Sequence, residues 1–335
     1  SRRWPASAID PGRSCMAFRK TTSPTAREDM ISGYLFIAPA LIVLTLFVFW
    51  PIVQIIWLSF HEWSVITPEK PWVGLENYRN LTKTRDFPIA LRNTVWLSVG
   101  VVPIQTLIGL FLAVIANQKI RGRGFFRMAF YFPSISSTVV ISVIFLWMYQ
   151  QNGLINFILR KVGLPTPMPP WMSNPNGVIA MALKPLGVDH LNPWLAGPSV
   201  ALLSIMMMII WTSVGGTMVI FLAGLQGLSQ DVYEAAALDG ATATQQFWQI
   251  TVPLLKPIIF FVVTLGLIGT FQVFDQIFVM SQGAPAKTTL TLGYLVYQEG
   301  FTNFAMGYAS AIAIALFLII LAIYFVQRSV LRTDQ

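Results

Sequence analysis

The chain has 335 residues, 55% of them apolar and only 11% charged, with 22 Lys and Arg against 14 Asp and Glu for a net charge of +8. A soluble domain of ordinary composition carries about 25% charged residues, so a water-soluble enzyme or nucleic-acid-binding module is disfavoured despite the basic balance. A bilayer is the natural solvent for such a composition.

Residues 1–30 read as an N-terminal leader, unstructured over Ser1–Ala17. The single cysteine, Cys15, excludes an intramolecular disulfide and any CxxC redox or zinc motif. Polar residues precede it, so it is not a lipoprotein acceptor. Met16 is a candidate native start, which leaves open whether residues 1–15 are native. No cleavable signal peptide is visible, because the first apolar run is too long and lacks a small-residue cleavage site. Two histidines, His61 and His190, leave no His-rich metal cluster.

Uncharged runs then locate the membrane spans: Met30–His61, Asn93–Gln118, Met128–Leu159, His190–Gln230, Pro257–Phe274 and Gly300–Gln327. A helix needs roughly 20 apolar residues to cross a hydrocarbon core. The fifth run meets that length only if its helix continues past Asp275 to Met280. Six transmembrane helices are therefore predicted, near 31–60, 94–116, 128–149, 199–224, 257–280 and 307–327. Trp50-Pro51 is expected to kink or divide the first. Pro103 and Pro133 mark irregularities in the second and third.

The loops set the orientation. Lys119, Arg121, Arg123 and Arg127 crowd a short loop without acids, and six further basic residues precede the first span. Both segments lie on one side of a six-span protein, which the positive-inside rule makes cytoplasmic, so both termini are predicted inside. The loop 150–198 is then external and rich in proline. Its Trp171 and Trp194 read as interfacial anchors or as a docking surface. The tail 328–335 returns to the cytoplasm.

The loop 225–256 between the fourth and fifth spans is the most informative stretch. Helical patterns over Asp231–Leu238 and Ala243–Ile250 flank Asp239-Gly240, where glycine permits a sharp bend. Small alanines let another surface approach closely, which suits insertion into a groove on a partner; an amphipathic connector is the plainer reading. The order Glu234-Ala235-Ala236, Gly240, Ile250 and Pro253 resembles the EAA motif of permease subunits of binding-protein-dependent ABC importers. Val252 stands where the family usually has leucine before the proline.

Further stretches resemble the sugar-type permeases of this family, closest to the maltose permease (MalF-like) branch. They are Pro71 to Tyr78 with Asn93-Thr94, Arg121 to Arg127, Phe274 to Met280 and Gly307 to Ala311. Ser281-Gln282-Gly283-Ala284-Pro285 departs from the usual Thr-x-Gly-Gly-Pro, and residues near 182–197 look inserted.

The resemblance implies an all-α polytopic membrane protein with six transmembrane helices over 31–327, in the type I ABC importer (MetI-like) permease fold. It implies half of a translocation pathway for a sugar or oligosaccharide delivered by a solute-binding protein. The EAA loop would be the coupling helix seated in a dimer of ATP-binding subunits, with Glu234 making a charged contact and Gly240 setting the elbow. Expected partners are a second permease subunit, those ATPases, a periplasmic or lipid-anchored binding protein, the sugar and membrane lipid, but no nucleic acid. The chain has no G-x-x-x-x-G-K-[ST] sequence to cradle ATP phosphates. It is accordingly expected to be non-catalytic and cofactor-free, with ATP and Mg held by the partner.

Candidate pathway residues are Trp211, Thr212, Ser213 and Gly216 in the fourth span and Phe271, Gln272 and Asp275 in the fifth. Aromatic faces, amides, hydroxyls and carboxylates are what sugars bind. Helix packing is the alternative for the fourth-span strip. Asp275 is the one ionisable residue placed within a span, roughly 27 Å along from Pro257 at the helical rise. A solvated carboxylate at the outer interface is its alternative. Gln272, three residues earlier, is expected on the same helical face. Glycerol phosphate or an acidic oligosaccharide is the competing substrate class. A stand-alone channel or ion-coupled carrier would need more buried ionisable groups and leave the EAA loop unexplained. A membrane enzyme lacks any nucleophile–base or metal cluster.

Overall fold

The computed structural model describes residues 24–67, 69–118, 121–167, 169–187 and 191–330. Cys15, Met16, Lys119, His190 and most of the leader and tail lie outside the described residues. Among those described there are no strands, only isolated bridges such as His61 with Trp72 and Ser64 with Ala305.

Among the described residues, those up to Gln54 form one compact unit and those from Ile55 a second. Helix α1, Glu28–Leu58, is 31 residues long and apolar enough to cross a membrane. Trp50-Pro51 does not divide it. A wide π-turn at Thr45–Phe49, in which the Trp50 N–H reaches the Thr45 carbonyl, immediately precedes the proline. That turn gives the ring room against the preceding carbonyls.

In the second unit, α2 (Glu76–Lys83) leads into α3 (Asp86–Asn117), unbroken through Pro103. There follow α4 (Arg123–Ile135), α5 (Thr138–Met148), α6 (Leu154–Lys161), α7 (Val178–Leu183) and α8 (Val200–Gln226). The chain then forms α9 (Gln230–Leu238), α10 (Ala243–Leu254), α11 (Lys256–Phe271), α12 (Asp275–Met280), α13 (Leu292–Tyr297) and α14 (Met306–Val330).

Four helices, α1, α3, α8 and α14, are each long and apolar enough to span alone. The bent pairs α4–α5 and α10–α11 bring the number to as many as six. Two expected spans are thus not single helices. The third bends by 96° between Ile135 and Thr138, and the fifth pair bends by 64° at Leu255. The expected continuation from 257 to 280 is also interrupted: α11 stops at Phe271 and α12 starts afresh at Asp275. Asp275 is therefore not a residue within a continuous span, whereas Arg92 does lie inside α3.

Lipid offers no hydrophobic gain for bringing helices together, so close contact and hydrogen bonds hold such a bundle. Along the seam of α3 and α8, Leu97, Val101, Ile205 and Met208 are buried. A Cβ at Gly215 of α8 would strike the Phe130 carbonyl and lie 2.9 Å from the Tyr131 Cα of α4, so only glycine fits there. Ser98 Oγ and Thr270 Oγ1, 2.6 Å apart, tie α3 to α11.

Candidate functional site

The loop between α8 and α11 is built as a rigid knuckle. Ser229 caps α9 by accepting from the Asp231 N–H at 3.2 Å, and Asp231 in the first turn suits the helix dipole. The end of α9 is closed by two bonds, Gly240 N–H to Ala237 O at 3.1 Å and Ala241 N–H to Ala236 O at 2.9 Å. That is a Schellman closure, and it requires Gly240 at φ +82°. Thr242 then starts α10 with a reciprocal capping box to Gln245. Tyr233 OH and Thr251 Oγ1, 2.9 Å apart, strut α9 against α10 across a π-turn at Phe247–Thr251.

On this knuckle Glu234, Ala235, Asp239 and Gly240 are exposed, Ala236 and Ile250 half-buried, and Pro253 exposed. Leu238 projects with 90% of its surface uncovered and Trp248 with 63%. Asp239 adjoins Leu238 in sequence and Glu234 lies one helical turn before it, both exposed. Beneath the knuckle lies a cleft of about 680 Å³ whose lining includes Asn117, Gln226, Tyr233, Glu234 and Gln246. The strut and the exposed tip were not identified from sequence. The Thr242-to-Gln245 spacing is a capping-box signature that was there to be read.

The pathway candidates separate into two sets. In α8, Trp211 is half-exposed and 5.5 Å from Phe145. Thr212 Oγ1 donates to the Ile209 carbonyl at 2.9 Å, so its proton stays within its own helix. Gly216 N–H donates to Ser134 Oγ at 3.0 Å, at the seam with α4. Ser213 is half-buried. The Gly216 backbone is tied to α4 by that bond, although a Cβ there would meet nothing within 4 Å, and Trp211 keeps an open face.

At the break between α11 and α12, Gln272 and Asp275 are exposed, but Phe271 is 2% exposed and belongs to the core. The expectation that one helical face carries Gln272 and Asp275 does not hold, because three-residue spacing applies only where the helix is continuous. Both side chains are nevertheless open at the break. The Val273 carbonyl accepts from Thr291 Oγ1 at 3.1 Å. Thr291 also caps α13, where burial, with Tyr297 adding to it, pushes the Tyr294 phenol above its ordinary value. Gln272 and Asp275 leave this irregular stretch exposed, while Val273 within it is buried.

The motif pair Asn93-Thr94 pins the segment that follows α12. Asn93 Nδ2 donates to the carbonyls of Lys287 and Leu290, both at 2.9 Å, and Thr94 Oγ1 accepts from the Leu292 N–H at 3.0 Å. Lys287 Nζ sits 2.7 Å from both Asp86 oxygens, an exposed pair worth roughly 0–1 kcal/mol. The buried amide matters more. Asn93→Ala leaves two carbonyls without their donor and is expected to cost about 2 kcal/mol. A lower thermal midpoint of the detergent-solubilised protein checks this; an unchanged midpoint removes the pinning role.

Residues 105–333 match the family described as "Binding-protein-dependent transport system inner membrane component". The chain is 35% identical over 312 residues to the probable ABC transporter permease protein YurN of Bacillus subtilis, covering 92% of this chain and 98% of that one. It is 33% identical to the trehalose/maltose transport system permease protein MalF of Thermococcus litoralis, covering 93% and 97%. The lactose transport system permease protein LacF of Rhizobium radiobacter is 31% identical, covering 89% and 93%. Among solved structures, a chain of a bacterial ABC transporter that imports the acidic polysaccharide alginate superposes with a TM-score of 0.73 at 20% identity. That match covers 93% of this chain and 99% of the other, and it shows a shared fold.

Proposed function

The chain belongs to the family of binding-protein-dependent transport system inner membrane components, and from that premise we propose that it forms half of an ATP-driven import pathway for a neutral saccharide. The protein is a membrane-spanning permease subunit of an ABC importer. The saccharide assignment is carried by one observation: relatives matching nearly its whole length are named for trehalose and maltose, lactose, multiple sugars and arabinooligosaccharides. The exposed carboxylate of Asp275 at the helix break supports a neutral cargo over a phosphate or a uronic-acid polymer, which it would repel.

In this reading a second, similar permease completes the pathway, and a solute-binding protein delivers cargo on the side of the 150–198 loop. ATP and Mg belong to a separate pair of ATPase subunits. These subunits seat the α9 knuckle, with Leu238 as the apolar tip and Glu234 as the charged contact. Closure of the ATPase pair would drag the knuckle and move the bundle from inward-open to outward-open, which demands contacts that differ between the two states. Both termini and the knuckle face the cytoplasm of a bacterial inner membrane, by the basic residues flanking α4.

Proteoliposomes holding the full complex test the reading with trehalose, maltotriose and glycerol 3-phosphate. Saccharide uptake that needs internal ATP and external binding protein is the expected result. Uptake of glycerol 3-phosphate alone overturns the saccharide assignment.

A further inference from the structure

Helix α4 divides its faces sharply. Arg127 Nε and Nη2 donate to the Ala116 carbonyl at 3.2 and 2.7 Å, which ties α4 to the end of α3. Ser134 Oγ, on the same side, accepts from the Gly216 N–H of α8. Phe125, Met128, Phe132 and Ile135 recur at three- and four-residue spacing and so share another face. All four are between 64% and 70% exposed, more than any other large apolar side chain of the helix.

Arg121 and Arg123 stand at the head of that stripe, both exposed. Gly122, at φ +79°, turns the chain between them into α4. Among the described residues no ion pair holds either guanidinium, and the one that forms joins Lys287 to Asp86. The sequence itself offers no Asp or Glu from Phe87 to Val188.

The stripe alone would not name its occupant, but two unpaired cations at one end of it do. They call for an anion carried on a hydrocarbon. A second permease is a poor source, because the positive-inside rule brings cations to its cytoplasmic edge as well. The cytoplasmic leaflet supplies the match, since anionic headgroups attract basic residues at its surface and buried apolar area adds to the attraction.

We infer that Arg121, Arg123 and the stripe on α4 bind an anionic phospholipid of the cytoplasmic leaflet. The guanidiniums hold its headgroup phosphate, and Phe125, Met128, Phe132 and Ile135 lie along an acyl chain. The site goes beyond the transport reading and takes from it only that the start of α4 faces the cytoplasm.

The test is native mass spectrometry of the full complex, purified in a neutral detergent and exchanged with mixed phosphatidylglycerol and phosphatidylcholine. The unmodified complex is expected to retain phosphatidylglycerol in preference. Arg121→Gln combined with Arg123→Gln should weaken that retention roughly 25-fold, about fivefold for each charge. Arg121→Lys with Arg123→Lys keeps both charges and should keep the preference. Phe125→Ser with Phe132→Ser should weaken retention severalfold although both charges remain. Equal retention of the two lipids by the unmodified complex overturns the site, as do glutamine variants that bind normally or lysine variants as weak as glutamine. Loss of the second permease or the ATPase subunits from the glutamine complex gives the face to a protein and overturns it too. Displacement of the lipid by inorganic phosphate would make this a site for a free anion, which equally overturns the inference. The readout needs no cargo, so each of these results leaves the saccharide reading untouched.

Discussion

Replacing Gly240 with proline is expected to abolish ATP-driven uptake by the reconstituted complex, a loss of at least about 100-fold. The residue sits at φ +82°, and proline is confined near −65°. Proline also removes the N–H that reaches the Ala237 carbonyl, one of the two bonds closing α9. The knuckle would then leave α9 along a different direction, carrying Leu238 and Glu234 out of register with the ATPase groove. Gly240→Asn is the control, since asparagine tolerates the left-handed region, and it should retain most uptake. Glu234→Lys probes the charged contact separately. The side chain is exposed, so its reversal should leave stability within about 0.5 kcal/mol and instead lower co-purification of the ATPase subunits. Full uptake by complexes carrying Gly240→Pro or Glu234→Lys would refute the coupling role.

The second large effect is expected at the helix break. Gln272→Ala should raise KM about tenfold, and Asp275→Ala by ten- to a hundredfold, in line with neutral and charged hydrogen bonds respectively. Neither side chain supports the core, so assembly should persist. Asp275 also opens α12, where a carboxylate favours the helix N-terminus. Asp275→Asn keeps hydrogen-bonding capacity but loses the charge that both a ligand and the helix N-terminus would feel, and an intermediate KM is expected. Unchanged kinetics in both alanine variants would return the break to a purely structural feature.

The span positions were legible because lipid excludes charge, and the charged residues accordingly bracket α8, the part of α3 after Arg92 and the part of α14 before Arg328. Pro133 did mark the bend between α4 and α5, but the break after α11 was not legible. The stretch from Gln272 to Phe274 carries no charge, and what makes its break affordable is tertiary: Thr291 reaching the Val273 carbonyl from 18 residues away. The α9 knuckle could be read because a bend at positive φ, close approach and helix starts each demand particular residue types. The pathway set was assembled from neighbours in sequence, and that logic misplaced Phe271. At a helix end adjacent residues diverge, and this ring turns into the core while Gln272 turns out. Gly216 was chosen over Gly215 for lack of any local signal; only the approach of α4 distinguishes them.

The wide turns at Thr45–Phe49 and Phe247–Thr251 have a consequence for how chain length can vary. Each holds one residue more than an ordinary helical turn. Deleting one residue there lets the hydrogen-bond ladder close as α-helix with the flanking faces still in register. The same deletion in the middle of α3 or α8 would rotate everything downstream by about 100°. Single-residue length differences among relatives should therefore collect at these points, and gaps placed elsewhere in the spans of a sequence alignment are suspect.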